Sequence, residues 1–573
     1  MIYPEKMDPA AVSAHATEIA NVKDPMLASL CLITGSTLGG SKEYLTSIIN
    51  AKDVDKLEYG ESLCVFSPTG SGKTKAMELI IAALSSDSHL IVLANRCICK
   101  TQVVKDLIKC PNIPGALIEK IKVNDNVEVM TYQEFARKKH KYQGKKLVLI
   151  CDECHCFAED ATFSLYPQHV VNFLNGNLDN TKRIYITATP SDVLPILWDI
   201  ENLSDKPLFP FDPDNMQHFL RVTPDAGCTR IKHTYIMQPD WTYLKFAVYR
   251  PAKRKELAEY IQKFCAQGKK ALIYINDMEA GTEMQELLGD SQRIYSSDDK
   301  KDEIQKIALQ EGFDASALVT TKVAENGWSI HDDNLSLIVA ETCDMVELQQ
   351  IIGRARVGRK KPREIQVLIP DYDLSLLGNM EGKLYMQLSA FQKAADNPDF
   401  ALQYLNQPNP YVCYDAILKK PLVNRIGLQQ LRTQLNHIRT LKAEEQKNSH
   451  AFVRKVLEAY GKPTEGLEEL FLDYDVTKAC QQRIVSAWGK YKSSNCDPDA
   501  LKALKEELKA ACNETGAYPK ELKSNIQIDT VNDILLFAGI HEIVSPEIRR
   551  FEITDRSSSA PVSYTHLRAH ETK

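Results

Sequence analysis

The fold of this chain is decided by the stretch Leu63-Cys64-Val65-Phe66-Ser67-Pro68-Thr69-Gly70-Ser71-Gly72-Lys73-Thr74. It opens with four apolar residues without polar alternation, which is typical of a strand buried on both faces. A loop containing Gly and Ser follows, and residues 75–84 after it have a helical pattern. A strand, such a loop and a helix N-terminus in succession surround a phosphate with backbone N–H groups, and the helix dipole adds positive potential. The predicted phosphate-binding residues are Ser67, Thr69, Gly70, Ser71, Gly72, Lys73 and Thr74.

Two side chains of this loop have predicted roles in nucleotide chemistry. Lys73 would reach the β- and γ-phosphates, and the Thr74 hydroxyl would be a ligand of Mg²⁺. Ser67 stands where the general pattern has glycine, so the match is imperfect by one residue. The alternative interpretation is an ordinary loop of small residues.

A second strand ends in two carboxylates. The apolar run Leu147–Cys151 is followed by Asp152 and Glu153. Because parallel sheets place ligands beyond the carboxyl ends of their strands, these acids are expected beside the phosphate loop. Asp152 would hold Mg²⁺ through water, and Glu153 would orient and deprotonate an attacking water. By themselves, acids at a strand end are also common loop formers.

A zinc site is a competing interpretation of the same segment. Its candidate ligands are Cys151, Cys154, Cys156 and His155, with Cys97 and Cys99 as further thiolates. Cys151 belongs to an apolar run, however, and thiolate-bound zinc would disturb a magnesium ion at Asp152. We therefore favour magnesium.

The same patterns predict the domain organisation. Apolar strands alternate with helical stretches over residues 55–228 and 229–375, which predicts two consecutive α/β domains with parallel sheets covered on both faces. Helical periodicity over 376–545 predicts an all-helical third domain. Residues 1–54 would form an N-terminal extension, and 546–573 a disordered or artefactual tail. The expected strands are Leu63–Phe66, Leu90–Leu93, Val127–Thr131, Leu147–Cys151 and Ile184–Thr187, then Lys232–Met237, Ala271–Ile275, Ala317–Thr320, Leu335–Ala340 and Ile365–Ile369.

Composition restricts the possible partners. With 70 Lys and Arg against 76 Asp and Glu, the net charge is -6, so the molecule as a whole does not attract a polyanion and any nucleic-acid site must be a local basic surface. The N-terminus lacks the pattern of a secretory signal, and no apolar run approaches the roughly 18 residues of a membrane helix. The 15 cysteines, many within apolar runs, are typical of reduced thiols. A cytoplasmic protein without a membrane partner is expected.

Several ordered motifs between about residues 55 and 375 resemble the superfamily 2 helicases of the DEAD/DEAH-box kind. Asp152-Glu153-Cys154-His155 is similar to the box, and Thr187-Ala188-Thr189 to motif III. Residues 320–330 resemble motif V, and Gln350-Ile351-Ile352-Gly353-Arg354-Ala355-Arg356 resembles motif VI. The resemblance implies two tandem RecA-like P-loop NTPase domains, ATP or another NTP with Mg²⁺ as cofactors, and nucleic acid as partner.

The resemblance also implies residue roles. The catalytic residues would be Lys73, Glu153, Gln350, Arg354 and Arg356; nucleotide state would be coupled to nucleic-acid binding by His155, Thr187, Thr189 and Gly327; and the nucleic-acid backbone would be held by Arg96, Thr131 and Thr321. Which arginine acts as the finger stays open, because the commoner family spacing places the second one where Val357 stands. A solvated basic turn is the alternative for the arginines, and a hydrogen-bonded interior residue is the alternative for His155.

The expected function is NTP-driven unwinding of, or translocation along, DNA. An RNA helicase is the alternative enzyme, because phosphate contacts do not distinguish the two sugars. A nucleotide-switched assembly or initiator protein, with the helical domain as its partner-binding module, is the alternative of another class. No glutamine precedes Gln102, so the sequence does not predict selectivity for adenine. In the helical region acidic residues alternate with basic ones, which favours a solvated surface, a brace or a partner-binding domain over a nucleic-acid groove.

Overall fold

The computed structural model describes most of the chain. The described residues are 27–28, 30–31, 34–83, 89–95, 100, 103–104, 108, 127–201, 230–295, 300–322, 329–357, 363–397, 409–415, 420–472, 474–494, 498–515, 518, 522, 525–544 and 553–555.

A seven-stranded sheet forms the first α/β lobe. Its strands are β1 (Gly35–Gly39), β2 (Ser62–Phe66), β3 (His89–Ala94), β4 (Val127–Thr131), β5 (Leu147–Asp152), β6 (Thr181–Thr187) and β7 (Ile231–Met237). They run in the order β1-β7-β2-β6-β5-β3-β4, and every neighbouring pair is parallel. The helices of this lobe are α1 (Leu45–Ile48), α2 (Ala51–Asp55), α3 (Lys73–Ala83), α4 (Tyr132–Lys138), α5 (Cys156–Glu159), α6 (Tyr166–Asn177) and α7 (Leu194–Ile200).

The apolar runs of the sequence are explained by cores on both faces of this sheet. Along β2, Leu63 and Val65 belong to one buried cluster, whereas Cys64 and Phe66 belong to the other. Successive side chains of a strand point to opposite faces, so a strand covered on both faces has no polar position. All five β2 residues are buried.

The assignment of Lys232–Met237 to the second domain was wrong. This segment forms β7, which lies between β1 and β2 in the first sheet. The expected N-terminal extension likewise contributes β1 to that sheet. Periodicity identifies a strand, but the choice of its neighbours depends on pairing between residues that are distant in the chain.

A six-stranded sheet forms the second lobe. Its strands are β8 (Leu244–Tyr249), β9 (Lys270–Ile275), β10 (Ser291–Ile294), β11 (Ala317–Thr320), β12 (Leu335–Glu341) and β13 (Ile365–Pro370), in the order β10-β11-β9-β12-β13-β8. The pairs from β10 through β13 are parallel. The helices of this part are α8 (Arg254–Cys265), α9 (Met278–Leu288), α10 (Lys301–Gln310) and α11 (Met345–Ile352). The predicted class, tandem parallel-sheet lobes followed by a helical region, is confirmed.

The C-terminal helical region does not form a single domain. Its helices are α12 (Leu374–Asp396), α13 (Arg425–Lys447), α14 (Ala451–Ala459), α15 (Tyr474–Ser493), α16 (Pro498–Thr515) and α17 (Ile528–Phe537), with two short antiparallel sheets made of β14 (Val412–Asp415) and β15 (Lys420–Val423), and of β16 (Glu542–Val544) and β17 (Ile553–Asp555). The described residues divide into two compact units. One unit consists of the residues up to Phe246 together with Ala258–Pro463. The other consists of Ala247–Leu257 together with the residues from Thr464. The predicted region 376–545 is therefore divided between the two units. None of the helices in the described ranges is long and apolar enough to cross a membrane.

A fully buried ion pair lies in the first lobe. Arg183 Nε lies 2.7 Å from Glu201 Oε1, and Arg183 Nη2 lies 2.7 Å from Glu201 Oε2. Both residues are fully buried. Tyr185 also donates to Glu201, at 2.7 Å. We expect Glu201→Gln to destabilise the fold by about 3–5 kcal/mol, because it leaves the Arg183 charge buried without its counter-ion.

Denaturant unfolding followed by circular dichroism measures this loss. The matched control is Asp179→Asn, which removes the exposed partner of Arg230. It should leave the unfolding midpoint unchanged, because exposed ion pairs contribute little. Equal midpoints for Glu201→Gln and wild type would contradict the expectation.

Candidate functional site

The phosphate loop has the backbone conformation that its glycines predict. Gly70 and Gly72 have φ angles of 79° and 93°, which side chains other than glycine adopt with strain. Helix α3 begins immediately afterwards, at Lys73. The buried hydroxyls of Ser67 and Ser71 contact each other, and Ser71 Oγ also donates to the Pro68 carbonyl at 2.6 Å. The serine at the expected glycine position thus stabilises the base of the loop.

The two predicted acids lie across from this loop, at the end of β5. Lys73 Nζ is 2.9 Å from Glu153 Oε1, and the two side chains are 13% and 20% exposed. Glu153 has a φ of 50°, in the left-handed region that is costly for a residue with a Cβ. Such strained residues are concentrated at functional sites.

The two carboxyl groups differ in their electrostatic surroundings. Burial, reinforced by the neighbouring charge of Glu153, raises the pKa of Asp152 to about 7. Burial also acts to raise the pKa of Glu153, but Lys73 and His155 outweigh it and lower that pKa well below its ordinary value. The negative charge of the ionised Asp152 carboxylate is therefore incompletely compensated, and a divalent cation would compensate it. Asp152 and the Thr74 hydroxyl offer the oxygen ligands that Mg²⁺ prefers.

A chain of polar contacts extends from Glu153 to motif III. The side chain of His155 is fully buried, and its Nδ1 lies 3.3 Å from Glu153 Oε2 and 3.0 Å from Thr187 Oγ1. The Thr189 backbone N–H donates to the same Thr187 hydroxyl at 3.1 Å. The Ser67 N–H donates to the Thr187 carbonyl at 2.9 Å, which joins this chain to the phosphate loop.

The contacts continue into the second lobe through motif VI. Gln350 Nε2 donates to Thr189 Oγ1 at 2.8 Å, and Gln349 Nε2 donates to the Ala188 carbonyl at 3.2 Å. Gln350 Oε1 accepts from Arg354 Nη2 at 3.0 Å. Residues of the box, motif III and motif VI are thereby brought together by a continuous set of side-chain contacts.

Arg356 has a different environment from Arg354. Its Nε donates to Ser329 Oγ at 2.8 Å, whereas its buried Nη1 finds no hydrogen-bond partner among the described residues. A Cβ built on Gly70 would lie 3.9 Å from that Nη1, so the guanidinium faces the phosphate loop. Burial, followed by the charge of Arg354, lowers the pKa of Arg356 to about 10. A phosphate anion in the loop would compensate this buried cation.

The predicted nucleic-acid contacts are only partly visible. Thr131 is 6% exposed, and its hydroxyl caps helix α4 by accepting from the Glu134 N–H at 3.1 Å. Thr321 is half-buried and directly follows β11. Arg96, predicted for the backbone, and Gly327, predicted for coupling, lie outside the described residues.

Three neighbours of the site were not predicted from the sequence. Gln349 bonds to motif III, Ser329 orients Arg356, and Gly353 packs directly against Thr69 of the phosphate loop. All three lie within or beside motifs V and VI. Their chemistry alone, a second glutamine, a serine and a glycine, gave no signal that would separate them from their neighbours.

The cysteines of the zinc alternative lie in the apolar core of the first lobe. Cys151, Cys154 and Cys156 are fully buried, and burial raises the pKa of Cys151 to about 12. Burial likewise raises the pKa of Cys154 well above its ordinary value. Within the described ranges no three His, Cys, Asp or Glu side chains are grouped so that they could hold a metal ion. Cys97 and Cys99 lie outside those ranges.

Comparisons with known proteins agree with these motifs. Residues 40–192, which include the phosphate loop, the box and motif III, match the family described as type III restriction enzyme, res subunit. No curated protein matches the sequence significantly.

Similar solved structures were also found. They include S. cerevisiae Dbp5 bound to RNA and ADP BeF3 (13% identity, 64% of this chain and 92% of that chain, TM-score 0.40), Mss116p bound to ssRNA and AMP-PNP (14%, 91% and 94%, 0.41) and Mycobacterium smegmatis helicase Lhr bound to ssDNA and AMP-PNP (14%, 64% and 56%, 0.39).

The assignment rests on the family match and on the order of the motifs along the fold. The phosphate loop, the Asp-Glu-Cys-His box and motif III follow strands of the first sheet, and motif VI ends a helix of the second lobe. These observations agree with the resemblance to the superfamily 2 helicases over the first lobe, and the architecture is that of two tandem RecA-like lobes.

Proposed function

We propose that this chain hydrolyses ATP or another NTP and couples hydrolysis to movement along DNA or to its unwinding. The observation that carries the proposal is the convergence of two lobes on one phosphate loop. Lys73 and Glu153 lie on one side of it, and Arg356 Nη1, which has no hydrogen-bond partner in the described part of the chain, faces it from the other. Residues from both lobes around one nucleotide provide a way to convert its hydrolysis into relative motion.

The ion pair between Lys73 and Glu153 suggests the order of events. When the phosphates enter the loop, Lys73 turns to them and releases Glu153. Loss of the Lys73 contact lets the pKa of Glu153 rise again, which makes its carboxylate a better acceptor for a proton from water. Mg²⁺, held by Thr74 and Asp152, would neutralise charge on the β- and γ-phosphates. Arg356 stabilises the charge that develops on the transferred phosphoryl group.

Coupling to nucleic acid is assigned to the polar chain between the lobes. His155, Thr187 and Thr189 join the base Glu153 to Gln350, so loss of the γ-phosphate changes the contact between the lobes. Binding of the strand's backbone is assigned to Arg96, Thr131 and Thr321, and Gly327 of motif V is assigned to coupling. Phosphate contacts position a strand without reading its sequence.

DNA is favoured over RNA as the substrate. The matched family is named for a restriction-enzyme subunit, and restriction enzymes act on DNA. A cytoplasmic location belongs to the same proposal. The described cysteines are free thiols, as is usual in reducing compartments.

Steady-state hydrolysis with different polymers tests the proposal. ATP turnover in the presence of Mg²⁺ is compared without polymer and with single-stranded DNA, duplex DNA and RNA, and strand displacement is measured in parallel. We expect DNA to stimulate turnover. Stimulation by RNA alone would show that RNA and not DNA is the substrate. ATP turnover without strand displacement would favour translocation or a nucleotide switch over unwinding.

The phosphate-loop lysine provides a direct check of the active site. Lys73→Ala should abolish turnover, because it removes the ammonium group at the first position of α3 that would hold the β- and γ-phosphates. Lys75→Arg is the matched control. Lys75 is 63% exposed and pairs with Glu78 on the same helix, and arginine keeps that pairing. Turnover that survives Lys73→Ala would contradict the site assignment.

A further inference from the structure

Helix α13 docks on the first lobe at its N-terminal end. Asn424, fully buried, donates from Nδ2 to the Ala161 carbonyl at 2.7 Å and to the Ser164 carbonyl at 3.3 Å. In return, Gln168 Oε1 accepts from the N–H groups of Arg425 and Ile426, at 2.9 and 3.1 Å. These contacts lie on the segment that follows the Asp-Glu-Cys-His box.

A second contact joins the same helix to the loop after motif III. Gln430 Nε2 donates to Asp192 Oδ2 at 3.1 Å, and Gln430 is 7% exposed. Asp192 lies three residues after Thr189. The N-terminal half of α13 is therefore bound to the two segments that follow the Asp-Glu-Cys-His box and motif III.

The middle of α13 is bound to the second lobe. His437 Nε2 donates to the Cys343 carbonyl at 3.2 Å, just after β12, and Lys455 Nζ donates to His437 Nδ1 at 3.1 Å. Burial, together with the neighbouring Lys455, lowers the pKa of His437 to about 4, which keeps the ring neutral in this arrangement. Helix α12, which follows β13 of the second lobe, packs along α13, and Glu381 on it pairs with Arg439.

From these contacts we propose that α13 is a brace that holds the two lobes in the closed arrangement, with Asn424 and Gln430 as positioning residues for hydrolysis. A rigid helix bound to the first lobe near its N-terminus and to the second lobe at His437 limits separation of the lobes. It thereby keeps Arg356 facing the phosphate loop before any nucleic acid binds. The expected effect on hydrolysis rests on the proposed function, whereas the expected effect on the separation of the lobes does not.

Single-atom substitutions distinguish docking from helix stability. Asn424→Asp keeps the oxygen that caps α13 by accepting from the Gly427 N–H, but it places a carboxylate oxygen against the carbonyls of Ala161 and Ser164. Gln430→Glu similarly places a carboxylate against Asp192. Gln168→Glu is the matched control, because the oxygen that accepts from α13 is kept. Arg439→Gln is a second control, because Lys442 on the same helix keeps an ion pair with Glu381 of α12 at 2.8 Å.

Small-angle X-ray scattering and basal hydrolysis of the full chain give two independent measurements. For Asn424→Asp and Gln430→Glu we expect a larger radius of gyration and a kcat without polymer that is about tenfold lower, the size expected from loss of one or two net hydrogen bonds. The dissociation constant for the nucleotide should change less than about twofold, since the first lobe carries the phosphate loop. Both controls should behave as wild type.

The result that would overturn the brace is wild-type dimensions and wild-type turnover in both docking variants. Equal losses in all four variants would also overturn it, because they would indicate general instability. If Asn424→Asp fails to fold, scattering and basal hydrolysis of the milder variant Gln430→Glu test the brace. Scattering needs no turnover, so an inactive wild type would overturn the proposed function and leave the brace to be judged by dimensions.

Discussion

Replacing Arg356 with alanine is expected to lower kcat by about 10³-fold or more, with little change in nucleotide affinity. Arg356 is assigned as the finger because its buried Nη1 has no hydrogen-bond partner among the described residues and faces Gly70. Arg354, in contrast, donates from Nε and Nη2 to the backbone and side chain of Gln350. We therefore propose that Arg354 positions Gln350 for its contact with motif III.

Single-turnover hydrolysis and equilibrium nucleotide binding separate these two roles. Arg356→Ala should lose chemistry and keep binding, since the ground-state nucleotide is held by the first lobe. Ser329→Ala is the companion variant. It frees the Nε of Arg356 without removing the charge, so a smaller loss is expected. A larger loss of the chemical step in Arg354→Ala than in Arg356→Ala would contradict the assignment.

Gly353→Ala is expected to lower kcat by about 10²-fold, the scale associated with a misplacement of about 1 Å at the reacting groups. A Cβ at Gly353 would collide with the Thr69 side chain, whose Cγ2 and Cβ would lie at 2.8 and 2.9 Å. The backbone of Gly353 has φ -64° and ψ -12°, which alanine adopts without strain. The substitution therefore acts on the contact between the lobes.

A compensating variant checks that interpretation. Thr69→Gly removes the colliding atoms, so Thr69→Gly combined with Gly353→Ala should recover part of the activity that Gly353→Ala loses. Gly382→Ala is the neutral control, because no atom lies within 4 Å of a Cβ at that position. Full activity of Gly353→Ala would show that the two lobes do not approach through this contact during turnover.

Local features of the fold could be predicted from the sequence because their causes are contiguous. The unalternated run from Leu63 to Phe66 is a doubly buried strand, and the glycines after it take the positive φ angles that a phosphate loop requires. The strand at 231–237 was also predicted, but its sheet was not. Its neighbours, β1 and β2, are selected by pairing that periodicity does not encode.

The sequence by itself determined the class of chemistry: a phosphate loop, a pair of acids and two arginines, in an order typical of superfamily 2. Each of these is carried by a few adjacent residues. Only the tertiary structure decided which arginine faces the loop. Arg354 bonds to Gln350, four residues before it, whereas Arg356 bonds to Ser329 and faces Gly70. The contact of Gln350 with Thr189 and the docking of Asn424 on Ala161 were likewise decided by folding, because these partners are 161 and 263 residues apart in the chain.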